Sequence, residues 1–132
     1  MKASDLFVKC LETEGVTKIF GIPGEENADL MISLKKSKIE FVLCRHEQAA
    51  AFMADVYGRL TGKAGVCLAT LGPGVTNLMT GLADANMDRA PVVAIIGQGS
   101  TERLHKESHQ IMDSISMVAP ISKWAQTILS AK

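Results

Sequence analysis

Ala64-Gly65-Val66-Cys67-Leu68-Ala69-Thr70-Leu71-Gly72-Pro73-Gly74-Val75-Thr76-Asn77 is the most informative stretch of the chain. Its first eight residues are apolar almost throughout, the pattern of a strand whose two faces are both covered. Gly72-Pro73-Gly74 stops that strand. Val75, Leu78, Met79, Leu82 and Ala83 then recur at helical spacing and share one stripe. A buried strand running through a tight turn into a helix is half of a strand-helix-strand unit, in which the next strand lies parallel to the first.

The same alternation continues in both directions. Downstream, Pro91 to Ile96 reads as a strand closed by Gly97-Gln98-Gly99. Upstream, Arg45 to Leu60 is the clearest helix, with Ala49, Phe52, Met53, Val56, Tyr57 and Leu60 at three- and four-residue steps and Gly62 after its end. Ile39 to Leu43 and Val16 to Phe20 are shorter strands, the latter stopped by Gly21-Ile22-Pro23-Gly24. A helix follows from about Glu25, acidic in its first turn and with Lys35 and Lys36 in its last, as the helix dipole favours. Ser4 is placed to cap a first helix with Leu6, Phe7, Cys10 and Leu11 on one face and Gly15 at its close. Ser100 to Gln110 is polar and aperiodic, a surface loop; a short helix at Asp113 to Val118 and a strand near Ile121 to Trp124 complete the reading. The expected fold is α/β: a single three-layer α/β/α domain with a mainly parallel sheet. In such folds ligands sit beyond the carboxyl ends of the strands, which here means Gly21–Asn27, Arg45–Gln48, Thr70–Asn77 and Gly97–Gln110.

Composition narrows the classes of function. The 132 residues suffice for one ordinary domain, and 47% apolar with 21% charged residues is a globular balance. Fourteen basic and fourteen acidic side chains cancel, so no net field recruits nucleic acid or an anionic membrane. The longest apolar run, Ala90 to Ile96, is too short to span a bilayer, and the start of the chain lacks the apolar stretch of a signal peptide. Cys10, Cys44 and Cys67 are odd in number, far apart and without metal-like spacing; they read as buried free thiols. A cytoplasmic protein fits, as does an organelle protein without its transit peptide.

The glycine-rich turns are not ordinary phosphate cradles. Gly21-Ile22-Pro23-Gly24 and Gly72-Pro73-Gly74 match neither GxGxxG nor the P-loop, and no lysine follows them. Glu47 stands in the first turn of the strongest helix. Acids are common there because they complement the dipole, but Ala50, Ala51 and Ala54 leave the face beside it nearly bare, open to close approach by a ligand or a backbone. His46 is either an acid/base group or a helix cap.

Taken in order, Gly21-Ile22-Pro23-Gly24-Glu25-Glu26-Asn27, the run Arg45-His46-Glu47-Gln48-Ala49-Ala50-Ala51-Phe52-Met53-Ala54-Asp55-Val56-Tyr57-Gly58-Arg59-Leu60-Thr61-Gly62, Thr70 to Asn77, and Asp84-Ala85-Asn86-Met87-Asp88-Arg89-Ala90-Pro91 resemble the pyrimidine-binding domain of thiamine-diphosphate enzymes, above all acetolactate synthase large subunits and their close homologues. The resemblance covers nearly the whole chain. It implies that Glu47 is the catalytic glutamate, which hydrogen-bonds a ring nitrogen of the cofactor's aminopyrimidine. The imino tautomer so favoured takes the proton from the thiazolium carbon, which then attacks a 2-oxo acid. It implies further cofactor contacts at Pro23, Gly24, Thr70, Pro73 and Asn77, and a substrate-facing Gln110. Biosynthetic acetolactate synthases often carry phenylalanine before that glutamine; here it is His109, which puts the second substrate in question.

The resemblance also implies what lies elsewhere. Relatives bind the diphosphate and its Mg2+ through a Gly-Asp-Gly turn of another domain, absent from this chain, and some carry FAD. Residues 1–132 are therefore expected to be an N-terminal thiamine-diphosphate domain, cut short at its carboxyl end and inactive alone, whose partner is a second copy or the diphosphate domain of a neighbouring subunit. The face bearing Glu47, Ala50, Ala54, Leu78 and Met79 is expected to pack on that partner. The activity implied is decarboxylation of a 2-oxo acid and its ligation to a second, as in branched-chain amino acid biosynthesis. The alternatives are a pyruvate oxidase or oxo-acid decarboxylase of the same superfamily and a non-catalytic module.

Overall fold

The structure, a computed structural model, describes residues 2–104 and 106–130. Helix α1 (Ala3–Thr13) leads to strand β1 (Lys18–Gly21), a single 3-10 turn (Glu25–Asn27) and α2 (Ala28–Leu34). Strand β2 (Glu40–Leu43), α3 (Glu47–Thr61), β3 (Gly65–Ala69), α4 (Pro73–Met87) and β4 (Val92–Ile96) follow, then a 3-10 turn at Thr101–Arg103 and α5 (Ser114–Val118). The four strands form one parallel sheet in the order β2-β1-β3-β4.

Alternation along the strands sorts their side chains into two cores. Ile19, Val66 and Leu68 point to one face, where Val8 and Leu11 of α1 and Leu34 of α2 meet them. Phe20, Cys67 and Ala69 point to the other, under Ala50, Ala51 and Ala54 of α3 and Leu78 and Leu82 of α4. The result is the expected three-layer α/β/α arrangement. Central β3 is buried at all five positions, which is why its sequence is an unbroken apolar run. The carboxyl ends of all four strands lie at one edge of the sheet.

Several local expectations are corrected. The cap of α1 is Lys2, not Ser4: its backbone N–H donates to the Asp5 carboxylate at 3.1 Å. Val8 and Leu11 are the buried residues of that helix, whereas Leu6 and Cys10 are exposed. Cys10 is therefore not a buried thiol, unlike Cys44 and Cys67. Lys35 and Lys36 fall just beyond the end of α2. No strand forms at Ile121 to Trp124; Ala119–Ile121 is a 3-10 turn, and the residues after it have no strand alongside to bond with.

The largest correction concerns α3. Its buried face is Glu47, Ala50, Ala51, Ala54, Asp55 and Gly58, while Met53, Val56 and Leu60 of the apolar stripe face outward, Leu60 at 81% exposure. Small side chains win the inward face because α4 and β3 come too close for large ones. A Cβ on Gly81 would lie 2.6 Å from Ala51 Cβ, and one on Gly65 only 1.9 Å from the Ala54 carbonyl oxygen. Ala50, Ala54 and Leu78, expected to meet another chain, are thus fully buried within this one. Gly62, at φ +68°, ends α3 in the left-handed conformation that glycine adopts without strain.

Candidate functional site

The site is assembled at the carboxyl edge of the sheet. Strand β2 ends at Leu43, and α3 starts four residues later with Glu47 in its first turn. His46 supplies the cap: its Nδ1 accepts the Gln48 N–H at 3.1 Å, which requires an unprotonated Nδ1. His46 is exposed and belongs to the helix start more than to any proton relay. Glu47 is 9% exposed, and one carboxylate oxygen, Oε2, accepts from Asn77 Nδ2 at 2.9 Å.

Asn77 reaches Glu47 because α4 begins directly beyond β3. Gly72 takes φ +59° with ψ −118°, a combination that suits glycine, and Pro73 occupies the first helical position, where it needs no N–H partner. Asn77 then lies one turn into the helix on the side facing α3. The two helices share a seam in steps of four residues: Glu47 against Asn77, then Ala51 against Gly81. Arg59 closes the far end. It makes a two-pronged contact with buried Asp55 (2.7 Å for each nitrogen) and reaches Asp84 on α4 at 3.1 Å and Asp88, just past the end of α4, at 2.5 Å. These anions hold the Arg59 guanidinium firmly in its charged form, Asp55 most of all.

The other carboxylate oxygen of Glu47 faces bare backbone. A Cβ on Gly74 would stand 3.5 Å from Glu47 Oε1 and 3.2 Å from Thr70 Cγ2. Glycine thus lets the start of α4 lie close against Thr70, with Glu47 Oε1 alongside. Thr70, just past β3, donates its hydroxyl proton to Glu26 Oε2 at 3.0 Å. The preceding turn comes up beside it: a Cβ on Gly24 would lie 2.6 Å from Thr70 Cβ, and Gly24 N–H donates to Asn27 Oδ1 at 2.8 Å. Pro23 and Pro73 are exposed at the same edge.

Gln110 arrives from the loop after β4. It is exposed, holds a left-handed backbone at φ +56°, and packs against Gly72, where a Cβ would lie 2.8 Å from both Gln110 Cβ and its carbonyl oxygen. A non-glycine residue at positive φ carries strain and is uncommon outside turns and functional loops. The structure therefore joins Glu47 to Asn77 directly and places Thr70, Gly24, Gly74 and Gln110 around the same turns, with no hydrogen bond from Pro23, Pro73 or Gln110 to Glu47. Sequence reasoning missed Glu26 and Arg59. For Arg59 the four-residue spacing from Asp55 was a usable signal; for Glu26, forty-four positions from Thr70, none existed.

An open groove of about 560 Å³ runs along the outer side of the α3 start, lined by His46, Gln48, Ala49, Phe52 and Met53. Among the described residues no cluster of three or more His, Cys, Asp or Glu is disposed to hold a metal ion. No helix among them is long and apolar enough to cross a membrane.

Residues 1–117 match the family described as thiamine pyrophosphate enzyme, N-terminal TPP binding domain. The chain belongs to this family. It is 45% identical over 128 residues to the catabolic acetolactate synthase of Raoultella terrigena, a match taking in 97% of this chain and 23% of that protein. Identity to the acetolactate synthase of Bacillus subtilis (strain 168) is 43% over 131 residues, 99% of this chain and 23% of the relative. Against the isozyme 2 large subunit of Escherichia coli (strain K12) it is 44% over 123 residues, 93% and 22%. The chain thus spans under a quarter of the length of these curated relatives, at the position of their N-terminal TPP-binding domain.

An N-terminal TPP-binding domain has to offer the aminopyrimidine a carboxylate and space. The residues present fit that demand: Glu47 is sheltered, one of its oxygens is fixed by Asn77, and the other lies beside Gly74, which has no side chain to cover it.

Proposed function

We propose that this domain activates thiamine diphosphate in an acetolactate synthase-like enzyme that decarboxylates a 2-oxo acid and ligates the remainder to a second. The observation that carries the reading is the divided carboxylate of Glu47. Asn77 occupies Oε2, and Oε1 lies beside Gly74, which brings no side chain against it. A carboxylate oriented in this way can hold or release a proton at a ring nitrogen, while the apolar residues around it exclude water. When bound, thiamine diphosphate supplies a nucleophilic carbon for the keto group and an electron sink for decarboxylation. Glu47 is the catalytic residue of this chain. Pro23, Gly24, Thr70, Pro73 and Asn77 border the cofactor, and Gln110 faces the substrate.

The same reading makes the active site composite. Mg2+ and the diphosphate would be held by a domain outside this chain, in a second copy or neighbouring subunit of a cytoplasmic homodimer, and FAD is compatible with the fold. The outward Met53, Val56 and Leu60 support a partner on that side of α3. His109 before Gln110 favours a second reading for the substrate, in which a related 2-oxo acid enzyme such as a pyruvate oxidase uses the same Glu47.

The test is acetolactate formation from pyruvate, with thiamine diphosphate and Mg2+, by the full-length protein and its Glu47→Gln variant. Activity that collapses in the variant supports both the reaction and the residue. Glu47-dependent consumption of a 2-oxo acid without acetolactate moves the assignment to the sister enzymes. No thiamine-dependent turnover at all leaves a non-catalytic module.

A further inference from the structure

Thr70 is the point at which three backbone segments converge. A Cβ on Gly24 would meet Thr70 Cβ at 2.6 Å and Oγ1 at 2.7 Å, one on Gly74 would meet Cγ2 at 3.2 Å, and one on Gly97 would meet Thr70 Cα at 3.3 Å. Turns following β1 and β3 therefore rest on the Thr70 side chain, and the turn after β4 on its backbone. The orientation of that side chain decides what the first two touch. Rotation about χ1 can carry the threonine hydroxyl into the place of its methyl and the methyl into a third position, and in the observed rotamer the methyl lies toward Gly74. The hydroxyl is committed elsewhere, to Glu26 Oε2 at 3.0 Å. Glu26 is itself part-buried, with Gly97 alongside it.

We infer that Glu26 is a positioning residue for the cofactor site, acting through Thr70. By holding the hydroxyl, it keeps the Thr70 methyl against Gly74 and so fixes the turn that borders Glu47 Oε1. A hydrogen bond to an ionised acceptor is stronger than one between neutral groups, which suits a carboxylate to locking a rotamer. No charge on Glu26 is needed for this, only an acceptor. The inference rests on the reading of Glu47 as the cofactor's proton partner, but the local geometry it invokes exists without the cofactor.

The experiment uses the full-length protein with three substitutions, Glu26→Ala, Glu26→Gln and Thr70→Val, and reads two quantities. The first is the affinity for thiamine diphosphate in the presence of Mg2+. Glu26→Ala should weaken it about tenfold, and Glu26→Gln, which retains an acceptor, should stay within about twofold, a factor of ten being about 1.4 kcal/mol. Thr70→Val places a methyl on both branches, so adding Glu26→Ala to that background should change the affinity by no more than about twofold, the signature of two residues acting as one unit. The second quantity is hydrogen exchange in the cofactor-free protein at the Gly74 and Val75 amides, which bond to the Leu71 and Gly72 carbonyls. Glu26→Ala should speed it and Glu26→Gln should not. A glutamine variant as impaired as the alanine one would overturn the inference, as would a full alanine effect in the Thr70→Val background. If the parent protein binds no thiamine diphosphate, the functional reading fails while exchange still decides the role of Glu26.

Discussion

Replacing Gly81 by alanine tests whether the seam between α3 and α4 sets the geometry of Glu47. The added Cβ would lie 2.6 Å from Ala51 Cβ and 3.1 Å from the Phe52 backbone nitrogen, and neither is the loose end of a flexible side chain. Carbon atoms rest at about 3.5–4.0 Å, so the helices must part locally by about 1 Å. Asn77 and Glu47 lie one turn before this contact on their respective helices, and their bond is 2.9 Å. A rigid parting would stretch it to about 3.9 Å, beyond the range of a hydrogen bond. Overpacking costs about 1–3 kcal/mol, and exchanging glycine for alanine in a helix returns about 0.8–1 kcal/mol. The net loss should be about 0–2 kcal/mol in thermal or denaturant unfolding, with weaker binding of thiamine diphosphate. Adding Ala51→Gly removes the opposing methyl and should restore both, because the helix gains at 81 what it loses at 51. Unchanged unfolding and cofactor affinity in Gly81→Ala would refute the reasoning, and so would failure of Ala51→Gly to rescue it.

Three further expectations concern other parts of the molecule. Arg59→Ala strands the buried Asp55 carboxylate, whereas Asp55→Ala leaves Arg59 with Asp84 and Asp88; the arginine variant should unfold first on heating, and the double variant should be more stable than it. A thiol reagent at pH 8 should label Cys10 in the native protein and spare Cys67, whose thiol is pushed up to about 12 by burial. The fold favours the neutral form of Cys67, so that contribution is complete below the ordinary thiol value and is lost as pH rises towards 12. Cys67→Ala should accordingly flatten stability against pH across that window. His46→Ala should cost about 0.5–2 kcal/mol in denaturant unfolding through loss of the α3 cap, and His46→Asn, whose side-chain oxygen can accept the same N–H, should recover most of it.

The strands were legible because a parallel sheet covered on both faces leaves unbroken apolar runs such as Val66 to Ala69. Glu47 stood out through the ordered motifs that resemble the thiamine-diphosphate family; on pattern alone an acid at a helix start beside Ala50, Ala51 and Ala54 also reads as a complement to the dipole. The orientation of α3 was not legible. Hydropathic periodicity weighs large side chains most heavily, but close approach of α4 and β3 selects small ones, so Met53, Val56 and Leu60 marked the outer face. Chain-distant contacts were also invisible: no spacing rule links Glu26 to Thr70 or Arg59 to Asp88, since both depend on which strands become neighbours. The strand expected at Ile121 to Trp124 shows the converse error, in which β-prone residues pair with no strand of the sheet.

The crowding of Gly24, Gly74 and Gly97 around Thr70 bears on how tolerance to mutation would map onto this domain. A residue-by-residue substitution survey would find some of its most intolerant positions where there is no side chain at all, and those positions would outline the carboxyl edge of the sheet. Intolerance there would report occupied space, not reactivity. Loops on this edge could diverge freely in chemistry, and so in the substrate accepted, as long as these three positions stayed empty.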